Sequence, residues 1–568
     1  MLPNKITPSL PLGQMLVKKG VISPAQLETA VEEQNKISGP LGDVLLRLGF
    51  VEEASDFLPS VAEQLGVEFT KLRGRDIPAE VVTLIPVQIA TFYKIIPIEC
   101  RQHTLTIAAV NPHDVDMIDA LGIIFPGTIK TVLVSEKDIL EAIRRYYGVG
   151  AETINRMMES SLVKNEESVK VDDLSDLDDE ASIGKFINQI LLEAYRDSAT
   201  DIHIEPYEDR LQIRYRIDGI LRDAQVPVNI WHFRDSISSR IKIMSNLNIA
   251  ERRLAQDGRF KVKVNDVELD LRVSFLPAQS GESIAIRILS SSKLYSLTEL
   301  GMDNRDLDIL AGLIRRTHGI VFVTGPTGSG KTTTLYSCLT QLDRTEKKII
   351  TIEDPIEYRL DGTTQIQVHP SIGLTFASGL RSMLRHDPDV MMVGEVRDFE
   401  TAQIAIQIAL TGHLVFSTLH TNDAASGVTR LINMGVEPYL ISSAVECFVA
   451  QRLVRLLCPK CKQAGRLTAE AASDFGLDPK KALDIKIFEG KGCVSCNFTG
   501  YRGRQGVFEF LRLDDAVRHL IMARAPASAI KEAALKAGMC TMMQDGWRKV
   551  QSGITSPSEI MRVVRENG

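Results

Sequence analysis

The run Gly325-Pro-Thr-Gly-Ser-Gly-Lys-Thr332 brings three glycines, a lysine and three hydroxyls together over eight residues, ending Lys-Thr. That is the P-loop pattern: glycines let the chain turn its backbone N–H groups toward phosphate oxygens, the lysine holds the β/γ-phosphates and the hydroxyl after it meets Mg²⁺. Gly325, Pro326, Thr327, Gly328, Ser329, Gly330, Lys331, Thr332 and Thr333 are therefore the expected nucleotide-binding residues, with Thr332 on magnesium. The motif lies between an apolar run, residues 320–324, and a helical pattern over 332–342, so a helix N-terminus would point at the phosphates. Hydrolysis also needs a carboxylate that orients water, and two acidic segments follow short apolar runs: Glu353-Asp-Pro-Ile-Glu357, and Asp389-Val-Met-Met-Val-Gly394-Glu395. Glu357 and Glu395 are the expected catalytic carboxylates. Gly394 stands where an aspartate usually ends such a strand, so Glu395 would support magnesium directly or through water. His420 closes a later apolar run and could sense the γ-phosphate. The competing readings are ordinary surface acids at strand ends and a satisfied core histidine.

A second constellation is Cys458-Pro-Lys-Cys461 with Cys493-Val-Ser-Cys496, two knuckles separated by 31 residues. Four thiolates suit tetrahedral Zn²⁺ and leave no open position, so Cys458, Cys461, Cys493 and Cys496 predict a structural zinc, not a catalytic one. Unligated core cysteines or a redox pair are the alternatives. Eight cysteines in 568 residues are too sparse for a disulfide scaffold.

The elements that must position these groups belong to a long, ordinary globular chain. At about 150 residues per domain, 568 residues imply three to four domains. A net charge of -7 supplies no global basic field, which argues against nucleic acid as the principal partner. No apolar run reaches a membrane span and the opening residues contain no signal-peptide core, so a cytoplasmic location is expected. Residues 1–68 carry a diverged repeat. Leu12-Gly13, Leu16 and Gly20 recur 29 positions on as Leu41-Gly42, Leu45 and Gly49, and Leu27, Val31 and Gln34 recur 30 on as Phe57, Val61 and Gln64. Each copy reads as two short helices around a glycine stop. Residues 69–150 read as a small α/β module, and 151–180, acidic and poor in large apolar groups, as a flexible linker. Alternation at 211–217, 267–273 and 284–289 predicts strands of a mixed α/β domain over 181–292. Short apolar strands at 320–324, 349–352, 390–393 and 414–417, separated by helical patterns, predict a doubly wound parallel sheet within 300–568.

The P-loop, residues 352–358, 379–389, 394–398 and 411–420 resemble the Walker A, Asp box, Walker B and His box of the type II secretion and type IV pilus ATPases, and Asp201-Ile-His-Ile-Glu-Pro206 and Asn248-Ile-Ala-Glu-Arg-Arg253 through Gln256-Asp-Gly-Arg259 resemble the same family outside those boxes. The resemblance runs from about residue 183 to the C-terminus. It implies a RecA-like P-loop ATPase core preceded by a mixed α/β domain and a helical plus α/β N-terminal region. It further implies a homohexamer in which the 181–292 domain closes over ATP. At the matching positions Arg272, Arg287, Arg381 and Arg385 would reach phosphate oxygens, Arg272 and Arg287 as catalytic groups; solvated strand charges are their plain alternative.

Retraction-type members of the family lack the tetracysteine segment 458–496, which leaves assembly and secretion members. Length, acidic linker and repeat look most like the PilB-type pilus assembly ATPases, with a polytopic inner-membrane platform protein (PilC-like) as partner. Type II secretion, a related DNA-uptake motor and a nucleotide-regulated scaffold with little turnover are the alternatives. The N-terminal repeat resembles the family's cyclic di-GMP module, with Leu12, Gly13, Gln34, Leu41, Gly42 and Gln64 at its positions and Pro11 and Pro40 where arginine would stand. A docking module for a membrane partner is the competing reading.

Overall fold

The computed structural model describes residues 12–37, 41–51, 57–72, 74–148, 150, 153, 174–264, 267–289, 295–478 and 485–565. The chain divides into two compact units, Met1–Ile288 and Leu289–Gly568. Pro11, Pro40 and most of the acidic stretch lie outside the described residues. Where that stretch ends, a helix has already begun at Leu174 and runs to Arg196, inside the segment expected to be linker.

In the first unit the repeat folds as the helices Leu12–Lys18, Pro24–Ile37, Leu41–Arg47 and Leu58–Leu65. The equivalent leucines of the two copies, Leu16 and Leu45, are both fully buried in one small core. Gly13 lets the copies meet, because a Cβ there would lie 2.5 Å from Leu27 Cδ1 and 3.2 Å from Leu41 Cδ2. A four-stranded sheet follows in the order Glu68–Phe69, Thr128–Leu133, Thr104–Ala109, Ile95–Arg101. Helix Glu136–Tyr147 packs on it, its last two tyrosines donating hydroxyls to backbone carbonyls of Arg75, Val82 and Ile85.

The unit ends in a six-stranded sheet in the order Ile220–Asp223, Leu211–Ile217, Ala199–Pro206, Gly281–Leu289, Val267–Ala278, Gln256–Val264. Side chains alternate across a strand. Ile202, Ile204, Ile213, Leu271, Val273, Ile286 and Ile288 turn into a core shared with the helices Leu174–Arg196 and Arg234–Met244. The residues between them, including Asp201, His203, Arg214, Arg272 and Arg287, therefore share the opposite face.

The second unit holds a seven-stranded sheet. Its order is Thr364–Gln367, Ile349–Glu353, Val390–Val393, Leu414–Leu419, Gly319–Thr324, Val445–Leu457, Tyr501–Arg512. Five pairings are parallel and the last is antiparallel. Ile320 and Phe322 face one core, with helices Phe376–Met383, Phe399–Leu410 and Ala424–Asn433; Val321 and Val323 face the other, with helices Asn304–Ile314 and Lys331–Thr340. Both faces are covered, as continuous apolar strands demand. The strand leading to the P-loop is separated from Val390–Val393, the strand that precedes Glu395, by the Leu414–Leu419 strand, the RecA-like arrangement. No helix among the described residues is long and apolar enough to cross a membrane.

Candidate functional site

The P-loop leaves the C-terminal end of the Gly319–Thr324 strand and enters the helix Lys331–Thr340. Gly325 (φ 152°) and Gly330 (φ 87°) adopt backbone conformations that side chains disfavour. A Cβ at Gly325 would also lie 2.5 Å from Ser329 Oγ and 2.6 Å from the Gln451 carbonyl. The loop is thus pressed against the neighbouring Val445–Leu457 strand, and only glycine fits. Lys331 Nζ donates to the carbonyls of Gly325 (2.9 Å) and Pro326 (3.0 Å), which folds the ammonium over the loop. Burial pushes Lys331 down to about 8, against the opposing pull of Glu395, and Arg452 lowers it further. Ser329 Oγ is buried with no hydrogen-bond partner among the described residues, and Thr332 and Thr333 are half-buried in the first helical turn. A cradle of turned glycines, a desolvated ammonium and an orphaned hydroxyl fit a nucleotide phosphate chain.

Glu395 follows the Val390–Val393 strand, whose end is tied to both neighbours. Gly394 N donates to the Ile352 carbonyl at 2.8 Å, Thr418 Oγ1 to the Gly394 carbonyl at 2.7 Å, and Ser417 Oγ to the Val393 carbonyl at 2.9 Å. A Cβ at 394 would stand 3.3 Å from Glu353 Cα and the Ile352 carbonyl, a tight fit that favours glycine at this position. The Glu395 carboxylate, largely buried, bonds Arg397 Nη2 at 2.6 Å and His420 Nε2 at 3.1 Å. Glu395 and His420 are therefore brought together, and Glu395 acts on the Lys331 ammonium. Glu357 lies in the loop after Ile349–Glu353, close enough for its charge to oppose ionisation of Glu353.

The arginines are placed differently. Arg381 pairs with Glu400 at 2.6 Å, and Arg385 donates to the Arg381 carbonyl at 3.0 Å and Ser382 Oγ at 3.2 Å; neither guanidinium hydrogen-bonds to the P-loop among the described residues. Arg272 and Arg287 belong to the first unit, exposed on the outer face of its six-stranded sheet, where Arg287 Nε bonds Asp201 Oδ1 at 2.9 Å. Two contributors at the P-loop are absent from the motif reading, Gln451 and Arg452. Gln451 Oε1 accepts from Thr334 Oγ1 at 2.7 Å, and buried Arg452 donates to the Asn422 carbonyl at 2.9 Å and Oδ1 at 3.2 Å. The parallel register Thr324↔Ala450 places both beside the loop, a tertiary relation that a one-dimensional motif does not carry.

The four cysteines converge. Their sulfurs lie within 4.8 Å of one another, with 458–493 at 3.9 Å and 461–496 and 493–496 at 3.8 Å. Zn–S bonds of about 2.3 Å arranged tetrahedrally give S···S edges of about 3.8 Å, so the donor set fits zinc. Backbone N–H groups of Cys493 (3.2 Å) and Gly500 (3.3 Å) point at Cys496 Sγ, a geometry that favours thiolate. The long insert is accounted for by the antiparallel pair Lys462–Arg466 and Lys486–Gly490, which leaves one knuckle and returns to the other.

A family model described as "Type II/IV secretion system protein" matches residues 176–562, and one described as "MshEN domain" matches 65–153, downstream of most of the two-copy repeat. The chain is 41% identical over 559 residues to the type IV pilus assembly ATPase PilB of Myxococcus xanthus, covering 97% of this chain and 98% of that protein. It is 41% identical over 533 residues to the type II secretion system protein E of Xanthomonas campestris, covering 92% and 93%. With the type II secretion system ATPase E of Vibrio cholerae, identity is 45% over 439 residues, 77% of this chain and 85% of the other. With a half-buried lysine folded over the P-loop, an acid–histidine pair whose acid acts on that lysine and these matches along its length, the chain belongs to the type II/IV secretion system ATPase family.

Proposed function

We propose that the chain is the hexameric, Mg²⁺-dependent ATPase motor of type IV pilus assembly, working through a polytopic platform protein of the inner membrane. The observation that carries this reading is the near end-to-end match to a pilus assembly ATPase, N-terminal region included. In this reading the loop amides and Lys331 hold the β/γ-phosphates, and Thr332 and Glu395 support magnesium. Glu395 and Glu357 orient the attacking water while His420, bonded to Glu395, reports on the γ-phosphate. Arg381, Arg385, Arg272 and Arg287 neutralise charge on the transferring group once drawn to it, so their present partners Glu400 and Asp201 are resting contacts. Cys458, Cys461, Cys493 and Cys496 hold a structural zinc, and the N-terminal repeat is a candidate receptor for cyclic di-GMP. The chain would sit on the cytoplasmic side of the membrane through its partners. Lys331→Ala and Glu395→Ala should each abolish Mg²⁺-ATPase activity of the purified protein; full activity in either would remove that residue from its role.

The match to the Xanthomonas campestris protein over 92% of the chain keeps type II secretion as a second reading. Both machines share the same chemistry and differ in partners. Co-purification with a pilus platform, and restoration of pili when a deletion strain is complemented, would favour assembly; recovery of a secretion platform instead would favour secretion.

A further inference from the structure

The loop that carries Glu357 is tied to the P-loop helix by a buried polar brace that the nucleotide chemistry does not itself require. Its centre is Glu353, the last residue of the Ile349–Glu353 strand and only 2% exposed. A carboxylate at such depth is costly unless satisfied, and burial pushes Glu353 above its ordinary range. Three donors from three elements meet it: Thr351 Oγ1 at 2.6 Å, Gln365 Nε2 at 3.2 Å and the Tyr336 hydroxyl. Tyr336 is fully buried and lies five residues after Lys331 on the same helix.

The same side chains grip the Glu357 loop. The Tyr336 ring meets the Tyr358 ring edge-on with centroids 4.5 Å apart, and the Tyr336 hydroxyl accepts from Gln365 Nε2 at 3.4 Å. Gln365 Nε2 donates to the Tyr358 carbonyl at 3.1 Å and Gln365 Oε1 accepts from Leu360 N at 2.7 Å. One tyrosine and one amide thus fasten the loop at residues 358 and 360, next to Glu357, to the helix that begins with Lys331. Apolar residues could fill this space at lower desolvation cost, and what they would lose is directional control of the loop.

We propose that Tyr336, Glu353 and Gln365 are positioning residues that hold Glu357 in fixed register with the P-loop, so that they govern turnover and leave nucleotide affinity nearly untouched. This rests on the reading of Glu357 as a water-orienting carboxylate. Displacing a catalytic group by about 1 Å costs on the order of a hundredfold in rate, so loosening the loop should appear in kcat.

The test compares wild type, Tyr336→Phe, Gln365→Leu, Glu357→Gln and the double variant Tyr336→Phe/Glu357→Gln in the full-length protein. The readouts are kcat and KM for MgATP, with thermal unfolding measured alongside. Tyr336→Phe keeps the ring contact with Tyr358 and loses only the hydroxyl. Its kcat should fall about tenfold or more with KM within about twofold, Gln365→Leu should repeat that split, and the double variant should be no slower than Glu357→Gln alone. Wild-type kcat in Tyr336→Phe and Gln365→Leu beside an inactive Glu357→Gln overturns the brace and spares the carboxylate assignment. Multiplying losses in the double variant do the same. Wild-type kcat in Glu357→Gln overturns both, since the brace would then have nothing to position. Gln365→Leu carries the comparison by itself if Tyr336→Phe does not fold.

Discussion

Lys331 illustrates how a site residue's chemistry is set by where the fold puts it. Burial brings its ammonium down to about 8, and Glu395 alone pulls the other way while Arg452 adds to the fall. With the Lys331 pKa lowered to about 8, the cation proposed to meet phosphate should be lost as pH rises through that value. The kcat/KM profile for MgATP, which reports free-enzyme groups, should decline above that pH. Lys331→Arg, if active, should carry the limb to higher pH; a limb that stays in place would assign the titration to another group. Gln451 makes a second residue-scale prediction. Gln451→Leu leaves the buried Thr334 hydroxyl without its 2.7 Å acceptor, at a cost of about 1–3 kcal/mol, and changes the side chain that walls Gly330. Chemical denaturation should show that loss together with a raised KM for ATP, whereas unchanged stability would mean Thr334 finds another acceptor.

At the scale of elements, the two knuckles and the strand pair between them make one unit whose geometry matches a tetrathiolate site. Metal analysis should return one zinc per chain. Stripping it with a strong chelator, or Cys493→Ser, should lower the unfolding temperature and expose the lobe around Ile487 and Ile560 to proteolysis, because structural zinc contributes folding energy outright. Zinc-free protein of unchanged melting temperature would contradict this. How much of this was legible beforehand follows physical lines. Apolar alternation located the strand 211–217, and continuous apolar runs located those at 349–352 and 390–393, within a residue or two, because the first buries one face and the others both. Glycine spacing located the P-loop because only glycine accepts its dihedrals beside Gln451. The partners of Arg381 and Arg287, the 450–452 wall and the Glu353 brace were not legible. Each depends on which residues distant in sequence the sheet order brings side by side, such as Arg287 opposite Asp201. The helix starting at Leu174 was hidden for another reason: its first turns, Leu-Ser-Asp-Leu-Asp-Asp-Glu, are too acidic to show a helical apolar stripe.

At the scale of the whole molecule, the two compact units separate the arginine-bearing sheet from the P-loop sheet within the chain. The proposed hexameric motor makes the assembly state and the Glu395 site testable together. Wild-type protein and Glu395→Ala should therefore be resolved by size-exclusion chromatography and each fraction assayed for Mg²⁺-ATPase activity. Turnover confined to a peak of hexamer size, absent from the same peak of Glu395→Ala, is the expected result. Full turnover in a monomer-sized peak, or turnover that survives Glu395→Ala, would contradict a ring motor built on this site.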